Sequence, residues 1–203
     1  MRADEQTAFE HLQQSVQALH PLASATWTAF ATRLTYERLH PGHFLLNIGQ
    51  VTEAIYFVHR GIIRSFFQRS NGALYSKNLF LAGDWAAVMN SFITQQPSLL
   101  GMDVLETTTV LTIPADHFRQ LTADFPDFAR FYAKFLEQNW VVKDEQNLLA
   151  QVTQTAGQRY LQLIQRVPDI EQRLPLFIIA SYLGVTPTQL SRLRNRRVSD
   201  WAG

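Results

Sequence analysis

Cysteine is absent from the 203-residue chain. That excludes a disulfide framework, a thiolate nucleophile, and any zinc or iron–sulfur centre held by cysteine. Long apolar runs are absent too. No stretch approaches the ~20 residues that span a bilayer, and the opening "MRADEQTAFEHLQQ" is too polar for a signal peptide. A cytoplasmic protein without membrane contact is expected. Charged residues are scarce, 17% against 46% apolar, so the chain reads as globular and not as a disordered tail. It also lacks a His-Glu metal motif and a glycine-rich phosphate loop, and its Asp, His and Ser are scattered without the spacing of a catalytic set. No catalytic residue, metal site or cofactor is assigned, and the chain is not expected to be an enzyme.

What the chain does have is charge of one sign gathered at one end. Residues 153–203 hold seven arginines (159, 166, 173, 192, 194, 196 and 197) against Asp169, Glu171 and Asp200, a net +4. The preceding 152 residues carry eleven basic and fourteen acidic side chains, a net −3. A basic quarter on a mildly acidic body is the footprint of a part that meets a polyanion.

Three textures succeed one another along the chain. Phe9, Leu12, Val16 and Leu19, then Trp27, Phe30 and Leu34, recur at helical spacing on either side of Pro21. From about 35 to 114 the pattern changes to short β runs punctuated by turns: "YERLH", "HFLLNI", "AIYFVHR", "IIRSFF", "LYSKNLFL" and "MDVLETTTVLTI". Many short strands separated by turns predict a sandwich, roll or barrel and not alternating βαβ units. After Pro114 the chain reads as helical. A run of about 25 residues carries Phe128, Phe131, Phe135, Val142 and Leu149 along one stripe, which predicts a long helix paired with its twin in a homodimer.

The stretch "PLFIIASYLGVTPTQLSRLRNRR", Pro175 to Arg197, carries the most information. Leu176, Phe177, Ile179, Ala180 and Leu183 predict the apolar face of a short helix, with Ala180 small where a second helix crosses. Gly184 supplies the turn. Thr186 is a natural N-cap, and Pro187 sits where a missing N–H does no harm. Leu190 and Leu193 face inward on the second helix. Thr186, Thr188, Gln189, Ser191, Arg192, Arg194, Asn195, Arg196 and Arg197 are then the candidate contacts to double-stranded DNA, able to read base edges and hold phosphates.

This order of parts resembles the Crp/Fnr transcription regulators. In the roll the likeness rests on "NIGQVTEAIYFVHRGIIRSFF" and "LFLAGDW". Toward the C-terminus it rests on "QRYLQLIQRVPDI" and the stretch quoted above. The resemblance implies an α+β protein with an N-terminal jelly-roll of cyclic-nucleotide-binding type, a long dimerisation helix and a C-terminal helix-turn-helix. It divides the chain into a sensor with N-terminal helices over 1–122, the dimer helix over 123–150 and the DNA-binding unit over 151–203. It makes residues 186–197 the recognition helix, with Ser191 and Arg192 at its base- and phosphate-facing positions, and adds RNA polymerase as a further partner of such a regulator.

The sequence also departs from that family. Members that bind cyclic AMP hold the ribose hydroxyl with the glutamate of a Gly-Glu pair and the cyclic phosphate with an arginine. Here Ala87-Val88 stand in place of the first pair and Ser98-Leu99 in place of an Arg-Ser, so both anchoring charges are missing from the ligand pocket. Arg64 and Lys77 are the nearby bases that could replace the arginine. The oxygen-sensing members need cysteines, and there are none. Thr188 replaces a common glutamate of the recognition helix, and six residues after Arg197 are too few for a β-hairpin wing. The expected function is a sequence-specific DNA-binding regulator whose effector is unknown and is not cyclic AMP. The alternatives are a signalling module that docks a protein, or a cupin-like metalloenzyme using His43 and His59.

Overall fold

Ala8, Leu12 and Val16 fall on one side of helix α1 (Ala3–Leu19), four residues apart, and all three are buried. In this computed structural model, which describes residues 3–70 and 72–195, that stripe meets a β-roll. A second helix, α2 (Ser24–Ala31), comes after Pro21 and buries Phe30 in the same cluster.

The β texture resolves into eight strands: β1 (Thr35–Leu39), β2 (Phe44–Leu46), β3 (Ala54–Arg60), β4 (Ile63–Gln68), β5 (Leu74–Phe80), β6 (Trp85–Ala86), β7 (Gly101–Val104) and β8 (Thr108–Pro114). They form two antiparallel four-stranded sheets, ordered β1-β8-β3-β6 and β2-β7-β4-β5. Strand alternation decides which side chains enter the roll. On β3 and β8, Ile55, Phe57, Leu111 and Ile113 face the helices, whereas Val58 and Val110 face the interior with Leu39, Leu46, Ile63, Phe80, Val88, Met102 and Val104. A short helix, α3 (Met89–Thr94), lies between β6 and β7.

One run did not stay whole. "MDVLETTTVLTI" reads as a single strand, but the chain reverses at residues 105–107 to give β7 and β8. The Thr108 hydroxyl fixes the reversal, donating to the Glu106 carbonyl (2.9 Å) and accepting from the Ile62 N–H (3.1 Å). Gly61 is required beside it. Its φ is +98°, and a Cβ there would lie 2.2 Å from Thr108 Oγ1.

Helix α4 (Ala115–Asp124) begins directly after Pro114, and α5 (Pro126–Leu136) has Pro126 at its first turn. Asp127 in that first turn accepts from the Ala23 N–H (2.8 Å), the Thr26 hydroxyl (2.9 Å) and the Phe128 N–H (3.1 Å), tying α2 to α5. Burial pushes its carboxyl upward, but these donors and its own N–H outweigh that and hold it below the usual carboxylate range. A lowered folded-state pKa means that this stabilisation is present above about pH 3.8 and fades as pH falls below it. Asp127→Ala should cost about 1–3 kcal/mol in urea unfolding at pH 7, with the gap to wild type closing in acid.

The long helix differs from its predicted form. α5 runs into a π-helical segment, Glu137–Val142, and then into α6 (Lys143–Thr153). A π turn holds more residues than an α turn and so rotates the register of the helix beyond it. Phe128, Phe131 and Phe135 are fully buried against this chain's own Phe30, Phe118 and Trp85, so the first half of the expected stripe is intramolecular core. The second half is not. Val141, Val142, Leu148, Leu149 and Val152 are exposed, at 63, 46, 62, 54 and 78%. The apolar seam available for pairing therefore begins at the end of the π segment, with Val141, and not at Phe128.

Candidate functional site

Among the described residues, four helices make the C-terminal unit: α7 (Ala156–Arg166), α8 (Ile170–Arg173), α9 (Leu176–Leu183) and α10 (Pro187–Arg194). Capping boxes start two of them. Thr155 and Gln158 bond reciprocally at α7, and Thr186 and Gln189 do the same at α10. Between α9 and α10, Gly184 adopts φ +70°, and the Val185 N–H returns to the Ala180 carbonyl at 3.0 Å. That closes α9 in the left-handed way that favours glycine. Ile178, Ile179, Ala180, Leu183 and Leu190 bury together with Tyr160, Leu163, Val167, Ile170 and Leu174. Phe177, expected on the inner face, points out instead (60% exposed), and Ile178 takes its place. The other four residues expected on that face, Leu176, Ile179, Ala180 and Leu183, do pack inward.

The outer face of α10 presents Thr188, Ser191, Arg192 and Asn195, all exposed. Thr186 and Gln189 are exposed but engaged in the cap: the Thr186 N–H donates to Gln189 Oε1 (2.9 Å) and the Gln189 N–H to Thr186 Oγ1 (3.2 Å). Arg194 is turned aside, its Nε 2.7 Å from Glu171 Oε1. Arg196 and Arg197 lie outside the described residues.

Charge also fastens this unit to the roll, which the sequence did not reveal. Arg166 Nη2 lies 2.7 Å from Asp84 Oδ2, and Lys143 of α6 approaches the other oxygen of that carboxylate at 3.3 Å. Arg173 meets Glu106 with both Nε (3.1 Å) and Nη2 (2.5 Å). Arg159 donates to the Ala150, Gln151 and Gln154 carbonyls at the end of α6 and to the Leu183 carbonyl of α9 (2.8 Å). Three of the seven C-terminal arginines therefore hold the unit to its own chain. Ser181 completes the attachment, accepting from the Ser76 N–H (2.9 Å) and donating to the Leu74 carbonyl (3.2 Å). A cleft of about 830 Å³ opens between β5, α6, α7 and α9, with Lys77, Asn147 and Tyr182 on its walls.

Inside the roll the pocket residues separate. Val88 is buried in the interior, and Ala87 is buried toward the helices. Ser98 is buried, with its hydroxyl bonded to the carbonyl (2.7 Å) and N–H (3.0 Å) of Leu100. Leu99 is 85% exposed and faces solvent. Trp140, on the π segment, packs on both the interior cluster and the helical one. Arg64 is buried, but both ends of its guanidinium are taken by Asp103, with Nε 2.9 Å from Oδ1 and Nη2 on Oδ2. Lys77 stands on the outer cleft and not in the roll. Burial pushes the Tyr56 phenol up to about 12, with Glu37 and Glu53 adding to the effect.

Residues 36–125 match the family described as the cyclic nucleotide-binding domain. No curated protein matches the chain in sequence. Among solved structures, a putative Crp/Fnr-family transcriptional regulator from Eubacterium rectale is 15% identical, with 85% of this chain and 82% of that one covered at a TM-score of 0.67. FixK2 from Bradyrhizobium japonicum is 18% identical, covering 79% and 82% at 0.64. The c-di-GMP responsive global regulator CLP from Xanthomonas campestris is 13% identical, covering 88% and 93% at 0.66. Residues 36–125 thus match the cyclic nucleotide-binding domain, and the chain shares the fold of these solved regulators. Among the described residues, no helix is long and apolar enough to cross a membrane.

Proposed function

We propose that this chain is a dimeric, sequence-specific DNA-binding transcriptional regulator of Crp/Fnr type. The observation that carries the reading is the exposed face of α10: Thr188, Ser191, Arg192 and Asn195 project from a helix whose start is fixed by a capping box and whose back is anchored by Leu190. Residues 1–122 act as the sensor, 123–150 as the dimer helix and 151–203 as the DNA-binding unit. Two such units on a twofold axis enter successive major grooves, so the operator is roughly palindromic with half-sites about one helical turn, ~34 Å, apart. A second copy of the chain covers Val141, Leu148, Leu149 and Val152, whose spacing places them on one side of the helix. RNA polymerase is the further partner that this role implies.

Arg192 separates base reading from phosphate holding. Arg192→Ala should weaken specific binding by about 1–3 kcal/mol and relax the preference at one base pair. Arg197→Ala should weaken all sequences alike and flatten the salt dependence. Gel shifts over a salt series measure both, and unchanged binding by both variants would remove the recognition helix from this role.

The roll takes no cyclic nucleotide on this reading. A cyclic phosphate entering it would meet Val88 and Trp140, with Arg64 already paired to Asp103. An unpaired ion loses several kcal/mol on leaving water, and each 1.4 kcal/mol is about tenfold in affinity. Calorimetry with cyclic AMP at physiological salt should show no micromolar binding. Micromolar heat would mean that Arg64 had been released from Asp103 to serve the phosphate.

A further inference from the structure

His11 and His59 take no part in the DNA reading, yet they are the most closely set pair of imidazoles in the contacts described. His11 lies on the roll-facing side of α1 and His59 on β3, 48 residues away, and their Nδ1 atoms face each other at 3.3 Å with the rings inclined by 69°. An N–H hydrogen bond usually spans about 2.9–3.0 Å. Two nitrogens bound at about 2.0–2.1 Å to one tetrahedral zinc ion stand about 3.3–3.4 Å apart. The observed 3.3 Å equals the zinc separation and is also within reach of a long hydrogen bond between the rings, so the two are told apart by experiment.

The surroundings agree. His59 Nε2 is buried, has no hydrogen-bond partner, and lies 3.9 Å from Asp4 Oδ1. A carboxylate behind the far ring nitrogen is the usual support of a metal-bound histidine, because it fixes which nitrogen keeps the proton. Asp4 is itself held by the Tyr36 hydroxyl and by Arg60 Nη1 (3.2 Å). Burial holds both imidazoles below their usual range, and Arg60 and then His11 add to this at His59 while Asp4 opposes it. Phe57 closes one side of His11, and Gly83 the other.

We propose that His11 and His59 hold a divalent transition-metal ion of zinc type between their Nδ1 atoms, with water completing a tetrahedral set. Among the described residues no group of three or more such ligands converges, so the site is an open two-histidine one. The ion pins α1 to β3, a link separate from the DNA-binding unit. The sequence pointed to His43 as the partner of His59, but His43 is exposed in the turn before β2.

The test uses the full chain, stripped with chelator and dialysed. Calorimetry with Zn2+ should give one site per chain, Zn2+ should raise the melting temperature where Mg2+ does not, and Co2+ should give the visible absorption of a tetrahedral ion. His11→Gln and His59→Gln should each lose these signals with the circular dichroism spectrum retained, His43→Gln should keep them, and Asp4→Asn should weaken Zn2+ about 10- to 100-fold. If His59→Gln does not fold, wild-type binding still has to disappear in acid, because a protonated imidazole cannot ligate. No Zn2+ heat in the wild type, or Zn2+ binding that survives in a folded His11→Gln, overturns the site and leaves a shared-proton histidine pair.

Discussion

Phe135→Glu is expected to leave no folded roll, whereas Leu149→Glu leaves a folded monomer. Phe135 is fully buried, its ring 5.2 Å from that of Trp85 and continuous with Phe131 and Phe128. Truncating such a phenylalanine costs about 3–5 kcal/mol, and an unpaired carboxylate in the same place adds several more. The stability available is about 5–15 kcal/mol. Leu149 stands 54% exposed on the far side of the π segment, so a charge there meets water in the single chain and is buried only in the proposed pair. Circular dichroism and sedimentation velocity distinguish the two. A folded Phe135→Glu would break the assignment of α5 to the core. A dimeric Leu149→Glu, Val152→Glu double variant would move the interface away from α6.

Asp103→Ala should be nearly as severe for a different reason. Arg64 and Asp103 stand directly opposite on β4 and β7, both buried, and the guanidinium also lies 4.9 Å from the centre of the Phe66 ring. Removing one partner leaves a buried charge uncompensated, at a cost of about 3–5 kcal/mol. Removing both does not, because the desolvation of each ion disappears with it. The pair Arg64→Met, Asp103→Leu should therefore recover most of the loss, or exceed wild type, in urea unfolding. A double variant as unstable as the single one would show that the packing of the side chains matters here and not their charge.

Most of the strands were legible because β-branched and aromatic runs are separated here by "PG", Gly49, Gly61 and Gly72. β7 and β8 were merged because Thr107, Thr108 and Thr109 carry strand propensity straight through the reversal, and only a side-chain bond from Thr108 shows where the chain turns. The helix-turn-helix was legible residue by residue, since Thr186, Pro187 and Gly184 act locally. The partner of an apolar stripe is not local. Phe128, Phe131 and Phe135 have the same periodicity whether they meet a second copy or their own roll, and nothing in "EQNWVV" announces a π turn. The contacts between His11 and His59, Arg166 and Asp84, and Arg173 and Glu106 join residues 48, 82 and 67 positions apart, which no spacing rule reaches.

Ser181 has a consequence for solubility. β5 is the outermost strand of its sheet, and α9 lies against it with the Ser181 hydroxyl bonded to the Ser76 N–H and the Leu74 carbonyl. An open strand edge is a template for pairing with another chain and is a common start of aggregation. The C-terminal helices thus shield a sticky border of the roll. Any movement that swings them fully clear uncovers that border beside Leu79 and Leu81, which now bury against Tyr160 and Leu163. Selection against clumping would accordingly favour small rotations about α9 over wide separation, which limits how far the C-terminal helices can move away from the roll.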